Sequence, residues 1–340
     1  MEWFADFARV SFGGIEASFD VSSVLCEFNV GTSLIQIRWY GVIIALGFTL
    51  AALFGGRIAY TWRMNLSKMV DVLIYGTFGG IIGARAYYVI FQWDYYKLNP
   101  VEIFEIWNGG LAIYGGIIGG ILAAFITCKL EKLNFLNLLD LAGMSLLIGQ
   151  GIGRWGNYAN QEAFGVFTNG NYGMMSDKVA SYIAAHPDKY GLEGLPDIAG
   201  FIEQNNLFVH PTFFYEFAWC MVGFGLLYLI LKKFRKFSGQ LFLCYGIWYG
   251  TGRAIFEGLR TDSLYIGSTD IRVSQVLSLA IVVVCLITLI VKLISVKKNP
   301  KPIEGIDYFP PDAGKLISEI KAEKAQAAKG TAPKKENNDG

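Results

Sequence analysis

The chain has 340 residues, of which 53% are hydrophobic and only 17% are charged. Soluble domains carry about 25% charged residues, so this composition excludes a soluble enzyme, a collagen-like chain and a disordered chain. The formal net charge of +1 offers no broad basic surface, and no nucleic-acid partner is expected. The composition is typical of a membrane protein.

Seven apolar runs are each long enough to cross a bilayer, whose hydrocarbon core of about 30 Å takes roughly 20 helical residues. They are residues 39–60, 70–92, 111–128, 138–156, 211–231, 239–260 and 272–296. The sequence therefore predicts an all-α polytopic membrane protein with seven transmembrane helices. Lys and Arg follow the first, third, fifth and seventh runs. Because such residues mark the cytoplasmic side, the amino terminus is expected outside and the carboxyl terminus inside.

The runs divide the chain into five predicted parts. Residues 1–38 form an extracytoplasmic amino-terminal segment, with no cleavable signal peptide expected. Residues 39–156 hold transmembrane helices one to four, and residues 211–296 hold helices five to seven. The connection 157–210 is too long for a turn, and its aromatic residues predict a small extracytoplasmic cap. Residues 297–340, rich in Lys, Glu and Ala, are expected to form a partly disordered cytoplasmic tail.

Small residues and one carboxylate inside the runs are interpreted as structural. Glycines recur every four residues in the second and third runs, which favours close helix packing. They include Gly79, Gly83, Gly115 and Gly119. Asp140 falls at an inner helix start, where a carboxylate complements the helix dipole. The five cysteines form no CxxC pair, so neither a disulfide framework nor a metal site is predicted.

The stretch GIGRWG at residues 151–156 matches the GxGxxG pattern of dinucleotide-binding proteins. That pattern has meaning only between a strand and a helix of a soluble βαβ unit, whereas here it ends a membrane run. The dinucleotide interpretation is therefore set aside. The glycines are expected to let the helix unwind beside a polar site.

Most of the ionisable residues inside the membrane runs are predicted to lie at one level, near the outer surface. The main ones are Arg154, His210, Arg253, Glu257 and Arg260. The spacing of Arg253, Glu257 and Arg260 predicts that they share one helix face with Tyr249. Guanidinium groups bind phosphate in bidentate geometry, so Arg154 and Arg253 predict a phosphoanion site at headgroup height. In the alternative interpretation these arginines reach the interface or pair with Glu162 and Glu257 for stability alone.

Five sequence blocks combine such intramembrane charges with fixed spacing. They are IRWYG (37–41), GGLAIYGG (109–116), GRWGNYANQEAFG (153–165), HPTFFYE (210–216) and YGTGRAIFEGLR (249–260). With these blocks the chain resembles the bacterial phosphatidylglycerol:prolipoprotein diacylglyceryl transferases. The resemblance implies transfer of the diacylglyceryl group of phosphatidylglycerol to the lipobox cysteine of a prolipoprotein signal peptide, forming a thioether and releasing glycerol phosphate. It also implies a location in the bacterial plasma membrane, a site toward the outer leaflet, and no cofactor.

The resemblance also implies roles for individual residues. Arg154 and Arg253 would hold the lipid phosphate, and Arg253 and Glu257 would take part in catalysis. Further residues implied in binding phosphatidylglycerol are Tyr40, Asn157, Glu162, Gly165 and Arg260. Many members carry a histidine, assigned as the catalytic base, where this chain has Tyr114. Because a tyrosine has an ordinary pKa of about 10, either another group such as His210 is the base or Tyr114 orients the substrate.

An anion or phospholipid transporter with an outward-facing arginine site is the alternative function. Such a transporter is expected to show inverted repeats and a site near the middle of the membrane. The sequence shows no clear repeat, and the charges collect on one side. A third alternative is a purely structural membrane subunit, but such a role does not explain why arginines lie at the same level on two helices.

Overall fold

The computed structural model describes residues 6–12, 15–30, 33–168, 172–260 and 272–299. In these ranges the strands are β1 (Asp6–Phe12), β2 (Ile15–Val21), β3 (Val24–Val30), β4 (Ser33–Arg38), β5 (Phe167–Thr168), β6 (Tyr172–Ser176) and β7 (Phe208–Val209). The α-helices are α1 (Trp39–Thr61), α2 (Leu66–Phe91), α3 (Trp93–Tyr96), α4 (Ile113–Leu130), α5 (Phe135–Ala159), α6 (Asp177–Ala185), α7 (Ile198–Gln204), α8 (Thr212–Lys233), α9 (Gln240–Glu257) and α10 (Val273–Lys298). The predicted tail lies outside the described residues from residue 300 onward.

Six helices in the described ranges are long and apolar enough to cross a membrane: α1, α2, α4, α5, α8 and α10. The sixth run, predicted to be another transmembrane segment, folds as α9, which has 18 residues including Gln240, Arg253 and Glu257. The chain is therefore mostly helical and has the architecture of a multi-pass membrane protein.

A sheet accompanies the helices, and the prediction of an all-α fold did not include it. The strand order is β2-β1-β6-β7-β5, and every pairing within the sheet is antiparallel. Strand β1 pairs with β2 on one side and with β6 on the other, so that Val10 lies opposite Met174. The amino-terminal segment thereby joins the connection that follows α5. Residues of this connection and of the start of α8 form a hydrophobic core: Phe164, Met174, Met175, Val179, Ile183, Leu192, Ile202, Phe208, Val209 and Phe213.

Contacts divide the described residues into two units, 6–55 with 134–299 and 56–133. In the second unit α2 packs on α4 through glycines. A Cβ on Gly83 would collide with the backbone of Gly115 and Gly119, and one on Gly79 would collide with Ala123. The prediction that these glycines allow close helix packing is confirmed.

In the first unit α8 and α9 are joined by a reciprocal tryptophan pair. The rings of Trp219 and Trp248 stack with centroids 4.2 Å apart. Each indole N–H donates to the backbone carbonyl of the other residue, at 3.0 Å in both cases. Gly223 lies against Trp248 and Gly252 against Trp219, where a Cβ would collide with the indole ring. The pair sets the spacing between α8 and α9 near the residues of the site.

A buried ion pair joins α5 to the start of α9. Asp140 accepts from Arg235 Nε and Nη2, at 3.0 and 2.7 Å, and both side chains are fully buried. Its carboxylate also accepts from the backbone amides of Gly239 and Phe242, at 2.8 and 3.0 Å. The prediction that Asp140 complements its own helix is wrong, because Asp140 lies in the second turn of α5 and caps α9. The amino-terminal cap of α5 is Asn134, which accepts from two backbone amides.

The predicted unwinding at residues 151–156 is also wrong, because α5 continues as a helix to Ala159. The glycines of this stretch instead provide room for neighbouring side chains. A Cβ on Gly156 would lie 2.9 Å from the ring of Tyr40, and one on Gly151 would lie 3.2 Å from Cys220 Cβ. Helix α5 therefore approaches α1 and α8 closely at the level of Arg154.

Candidate functional site

Glu216 on α8 is the carboxylate around which the candidate site is built. Its Oε2 forms an ion pair with Arg154 Nη2 of α5. Its Oε1 lies 3.7 Å from Arg260 Nη1, beyond the end of α9. The Glu216 side chain is only 7% exposed. One buried carboxylate therefore holds two arginines from different parts of the chain.

The sequence predicted no role for Glu216, although it lies inside the block at residues 210–216. Two signals could have singled it out. It is a carboxylate in an apolar helix, where ionisable residues are costly and tend to be functional. It also lies one helical turn after Thr212, where α8 begins, and so at the same end of the helix as His210. Its pairing with Arg154 was not predictable from spacing, because 62 positions separate the two residues.

A second ion pair lies on α9. Arg253 Nη2 is 2.8 Å from Glu257 Oε2, and these two residues are four positions apart on the helix. Pairing of Glu257 with a neighbouring arginine is therefore observed as predicted. The prediction that Arg260 continues the same helix face is wrong, since α9 ends at Glu257. Arg260 instead forms an isolated β-bridge with Gly165.

We call the five residues Arg154, Arg253, Arg260, Glu216 and Glu257 the arginine cluster. Three guanidinium groups face two carboxylates, so the cluster carries one excess positive charge. Tyr249 interacts electrostatically with Arg154, Arg253 and Glu216, so this phenol lies near members of both ion pairs. The carboxylates are 3 to 7% exposed, whereas Arg154 is 18% and Arg253 is 25% exposed. The arginines are thus the accessible members of the cluster.

Asn157 links the cluster to the loop that follows α5. Its amide nitrogen donates to Glu162 Oε1 at 2.9 Å, and its amide oxygen lies 3.5 Å from Arg154 Nη1. Asn160 adds a weaker contact to the same Glu162 oxygen at 3.4 Å. Glu162 therefore holds the asparagines, and the partner of Arg154 is Glu216. The pairing of Arg154 with Glu162, one of the structural alternatives, is not formed.

Gly165 lies where this loop meets the segments before α8 and after α9. Its amide donates to His210 O at 3.0 Å, and the His210 amide donates to Val166 O at 3.0 Å. The Val166 amide donates to Leu259 O at 3.1 Å. A Cβ on Gly165 would lie 2.8 Å from Leu259 O and 3.0 Å from His210 Cβ. A larger residue would push these three segments apart.

His210 lies two residues before α8 and is half-buried. Its Nδ1 is 3.2 Å from the Tyr215 hydroxyl. Burial lowers the pKa of His210 below its ordinary value, because the charged imidazolium loses solvation. The imidazole is therefore neutral at pH 7. When Nδ1–H donates to the Tyr215 oxygen, Nε2 keeps a lone pair that can accept a proton.

Tyr40 belongs to the first turn of α1, and its ring covers Gly156 of α5. It borders an open cavity of about 640 Å³ at the amino-terminal end of α1. Polar residues that line this cavity include Gln36, Arg38 and Asn160. The structure thus brings Tyr40 together with α5 at Gly156 and with the loop that follows α5 at Asn160.

Tyr114 belongs to the second unit, as the second residue of α4, and is 42% exposed. The segment before it is organised by the buried Arg85 of α2. This guanidinium donates to the carbonyls of Ile103, Gly109 and Gly110 at 2.9 to 3.0 Å, and also to the carbonyl of Glu102. Five donors in a planar fork suit Arg85 to this task. It thereby helps to set where α4 begins.

These features define a multi-pass membrane protein that encloses a polar site with an excess of positive charge. The sequence model of the family described as prolipoprotein diacylglyceryl transferase matches residues 28–291. The chain belongs to this family, as its sequence blocks indicated.

Curated relatives agree over most of their length, and each carries the name phosphatidylglycerol--prolipoprotein diacylglyceryl transferase. A Listeria welshimeri protein is 43% identical over 269 residues, covering 78% of this chain and 88% of the relative. A Lysinibacillus sphaericus protein is 40% identical over 281 residues, with coverage of 82% and 95%. A Staphylococcus aureus protein is 39% identical over 283 residues, with coverage of 83% and 93%.

Proposed function

We propose that this protein transfers the diacylglyceryl group of phosphatidylglycerol to the lipobox cysteine of prolipoproteins, the first step of bacterial lipoprotein maturation. The observation that carries the proposal is the arginine cluster, with its excess positive charge in a membrane protein. The substrates follow from the family to which the chain belongs and from the names of its relatives.

In this proposal the guanidinium groups of Arg154 and Arg253 bind the phosphate of phosphatidylglycerol. Both are partly accessible, while their carboxylate partners are buried. Glu216 and Glu257 therefore orient the guanidinium groups without blocking the approach of an anion. Arginine suits this role because its planar fork matches two phosphate oxygens. Tyr40, Asn157, Glu162, Gly165 and Arg260 shape the rest of the binding site.

The reaction forms one bond and breaks one. The cysteine sulfur attacks the glyceryl carbon next to the phosphate, the carbon–oxygen bond breaks, and glycerol phosphate leaves with the bonding electron pair. The thiol proton goes to a base. Arginines on the leaving phosphate stabilise the charge that develops there, and their field lowers the pKa of the incoming thiol. Arg253 acts at this step, oriented by Glu257.

Two residues remain candidates for the base, His210 and Tyr114. The lowered pKa of His210 favours it, because a neutral imidazole accepts a proton at pH 7 whereas an ordinary tyrosine is already protonated. Tyr114 then serves to orient the substrate. The position of His210 beside Gly165 and the end of α9 supports this assignment.

We further propose the topology that this chemistry requires. Helix α9 is the seventh transmembrane segment, the amino terminus lies outside, and the site faces the outer leaflet of the plasma membrane. The basic residues in the last turns of α8 and α10 support this orientation. Residues 157–210 then form an extracytoplasmic cap that docks the prolipoprotein, and residues 297–340 form a cytoplasmic tail.

The test is a transfer assay with purified protein in detergent micelles that contain phosphatidylglycerol labelled in its acyl chains. A lipobox peptide is added and its mass is followed. We expect a mass gain equal to one diacylglyceryl group, and no gain on a matched peptide with serine in place of the cysteine. Absence of transfer to the cysteine peptide would contradict the proposal. Uptake of labelled lipid into sealed vesicles without transfer would indicate the transporter alternative instead.

A further inference from the structure

The hairpin of β3 (Val24–Val30) and β4 (Ser33–Arg38) has one apolar face. In its antiparallel register Cys26 lies opposite Ile37, and Phe28 lies opposite Ile35. Side chains alternate along a strand, and directly opposite residues point to the same side, so these four share one face. Phe28 is 44%, Ile35 is 41% and Ile37 is 39% exposed, and Cys26 is exposed as well. The apolar face is thus exposed among the residues that the structure describes.

The opposite face is mainly polar. Glu27 lies opposite Gln36, and the Gln36 amide donates to Glu27 Oε1 at 2.6 Å. Asn29 lies opposite Leu34, which is exposed, and Leu25, also exposed, lies at the register irregularity between Val24 and Cys26. Apolar and polar side chains therefore largely alternate along each strand of the hairpin, so the hairpin is amphipathic. This pattern is expected of strands that lie at a boundary between lipid and water.

The position of the hairpin relative to the membrane follows from its attachment. Strand β4 ends at Arg38 and α1 begins at Trp39, and the Trp39 amide donates to Ser23 O at 3.0 Å. Both ends of the hairpin are thereby held at the first turn of a membrane-crossing helix. Trp39 and Tyr40 are exposed aromatic residues at this turn, as is typical of the membrane–water interface. Strands of six and seven residues reach about 20 Å from this point.

We propose that this hairpin lies flat on the lipid surface beside α1, with Cys26, Phe28, Ile35 and Ile37 against the acyl chains. A hairpin standing away from the membrane would leave the apolar face in water, whereas a hairpin lying along it buries that face. Val42 and Leu46 of α1, which follow the hairpin in the sequence, are exposed apolar residues as well. Arg38 at the base adds a positive charge at the level of anionic headgroups. The inference is independent of the transferase activity.

The test uses the native Cys26 as the site of a fluorescent label. Cys128, Cys220, Cys244 and Cys285 are replaced by alanine, and the full chain is labelled with an environment-sensitive probe in phosphatidylglycerol nanodiscs. The matched control carries Cys26→Ser and Asn29→Cys in the same background, which places the probe on the opposite face. Quenching is measured with iodide in the water and with lipids that carry a nitroxide near the start of the acyl chain.

We expect the Cys26 probe to be quenched at least twofold more by the nitroxide lipid than the Asn29 probe, and to be protected from iodide by a similar factor. Equal iodide access at both positions would overturn the proposal. Protection of Cys26 from both quenchers, changing with the number of protein molecules per disc, would overturn it in favour of a second copy of this chain. If the Asn29→Cys protein does not fold, free iodide access to Cys26 alone still contradicts the proposal, and nitroxide quenching with iodide protection supports it.

Discussion

Glu216 and Arg154 form an ion pair that joins α8 to α5 at the centre of the candidate site. The same carboxylate lies 3.7 Å from Arg260, so its loss would leave two guanidinium groups without their shared acceptor. A buried charge that loses its partner is strongly unfavourable, and neighbouring side chains then move to satisfy it. The geometry of the arginines therefore depends on Glu216.

Replacement of Glu216 by glutamine tests this dependence. The change keeps the shape of the side chain and removes its charge, and we expect kcat/KM for diacylglyceryl transfer to fall by about tenfold or more, since hydrogen bonds to charged groups contribute about 1.5–3 kcal/mol. Glu203→Gln on α7, where the carboxylate is exposed, serves as the control. Unchanged transfer by the Glu216→Gln protein would show that the arginines hold their positions without it.

The lowered pKa of His210 predicts a pH dependence of stability. An unfolded histidine titrates near pH 6.5, about its ordinary pKa, whereas the buried one titrates lower. Below about pH 6.5 the unfolded chain therefore binds more protons, and stability falls as the pH drops toward the pKa of the folded state. Thermal unfolding of wild type and His210→Gln between pH 5 and 8 measures this effect. We expect the variant to lose part of the slope, and identical slopes would refute the role of burial.

The same residue is tested as the base by kinetics. We expect His210→Gln to lower kcat more than Tyr114→Phe does, because only the imidazole accepts a proton at pH 7. The wild-type rate should fall in acid as His210 becomes protonated, and Tyr114→Phe should keep that acidic limb. If instead Tyr114→Phe abolishes transfer and His210→Gln is nearly neutral, the base is on α4.

Gly165→Ala tests the junction between the loop that follows α5 and the segment after α9. The added Cβ would lie 2.8 Å from Leu259 O and 3.0 Å from His210 Cβ, so one of these segments must shift. We expect slower transfer together with a lower melting temperature. Gly56→Ala in α1 is the matched control, since a Cβ there meets no atom within 4 Å. Equal behaviour of the two proteins would show that the junction tolerates the extra volume.

Asp140→Asn tests the ion pair at the other end of α5. The substitution removes the charge of the carboxylate that accepts from Arg235 Nε and Nη2, and breaking a buried pair costs about 3–5 kcal/mol. We expect a corresponding loss in the free energy of unfolding measured by denaturant titration in micelles. Asp188→Asn, at an exposed position, should change little. A loss below about 1 kcal/mol for Asp140→Asn would mean that water or another group compensates Arg235.

The sequence predicted the membrane helices and the residues of the arginine cluster on α5 and α9 because both signals are local. Apolar runs, and the charged residues within them, can be recognised in the sequence without knowledge of any tertiary contact. Its errors at Arg260 and Asp140 have one physical cause, since each residue interacts across the fold and not along its own helix. The pairing of β1 with β6 joins residues 160 to 168 positions apart, and no periodicity indicates it. Glu216 was missed for the same reason.

The most direct test of the central claim is single-turnover transfer by Arg154→Ala and Arg253→Ala, measured at saturating and at limiting phosphatidylglycerol. The control is Arg57→Ala, which replaces an arginine of the membrane-crossing helix α1. We predict that the Arg154 and Arg253 variants lose at least 100-fold in kcat/KM, whereas the control keeps wild-type transfer, because two charge-assisted contacts to the phosphate are removed. Transfer at the wild-type rate by either variant would contradict the proposal that these arginines bind the phosphate of the lipid.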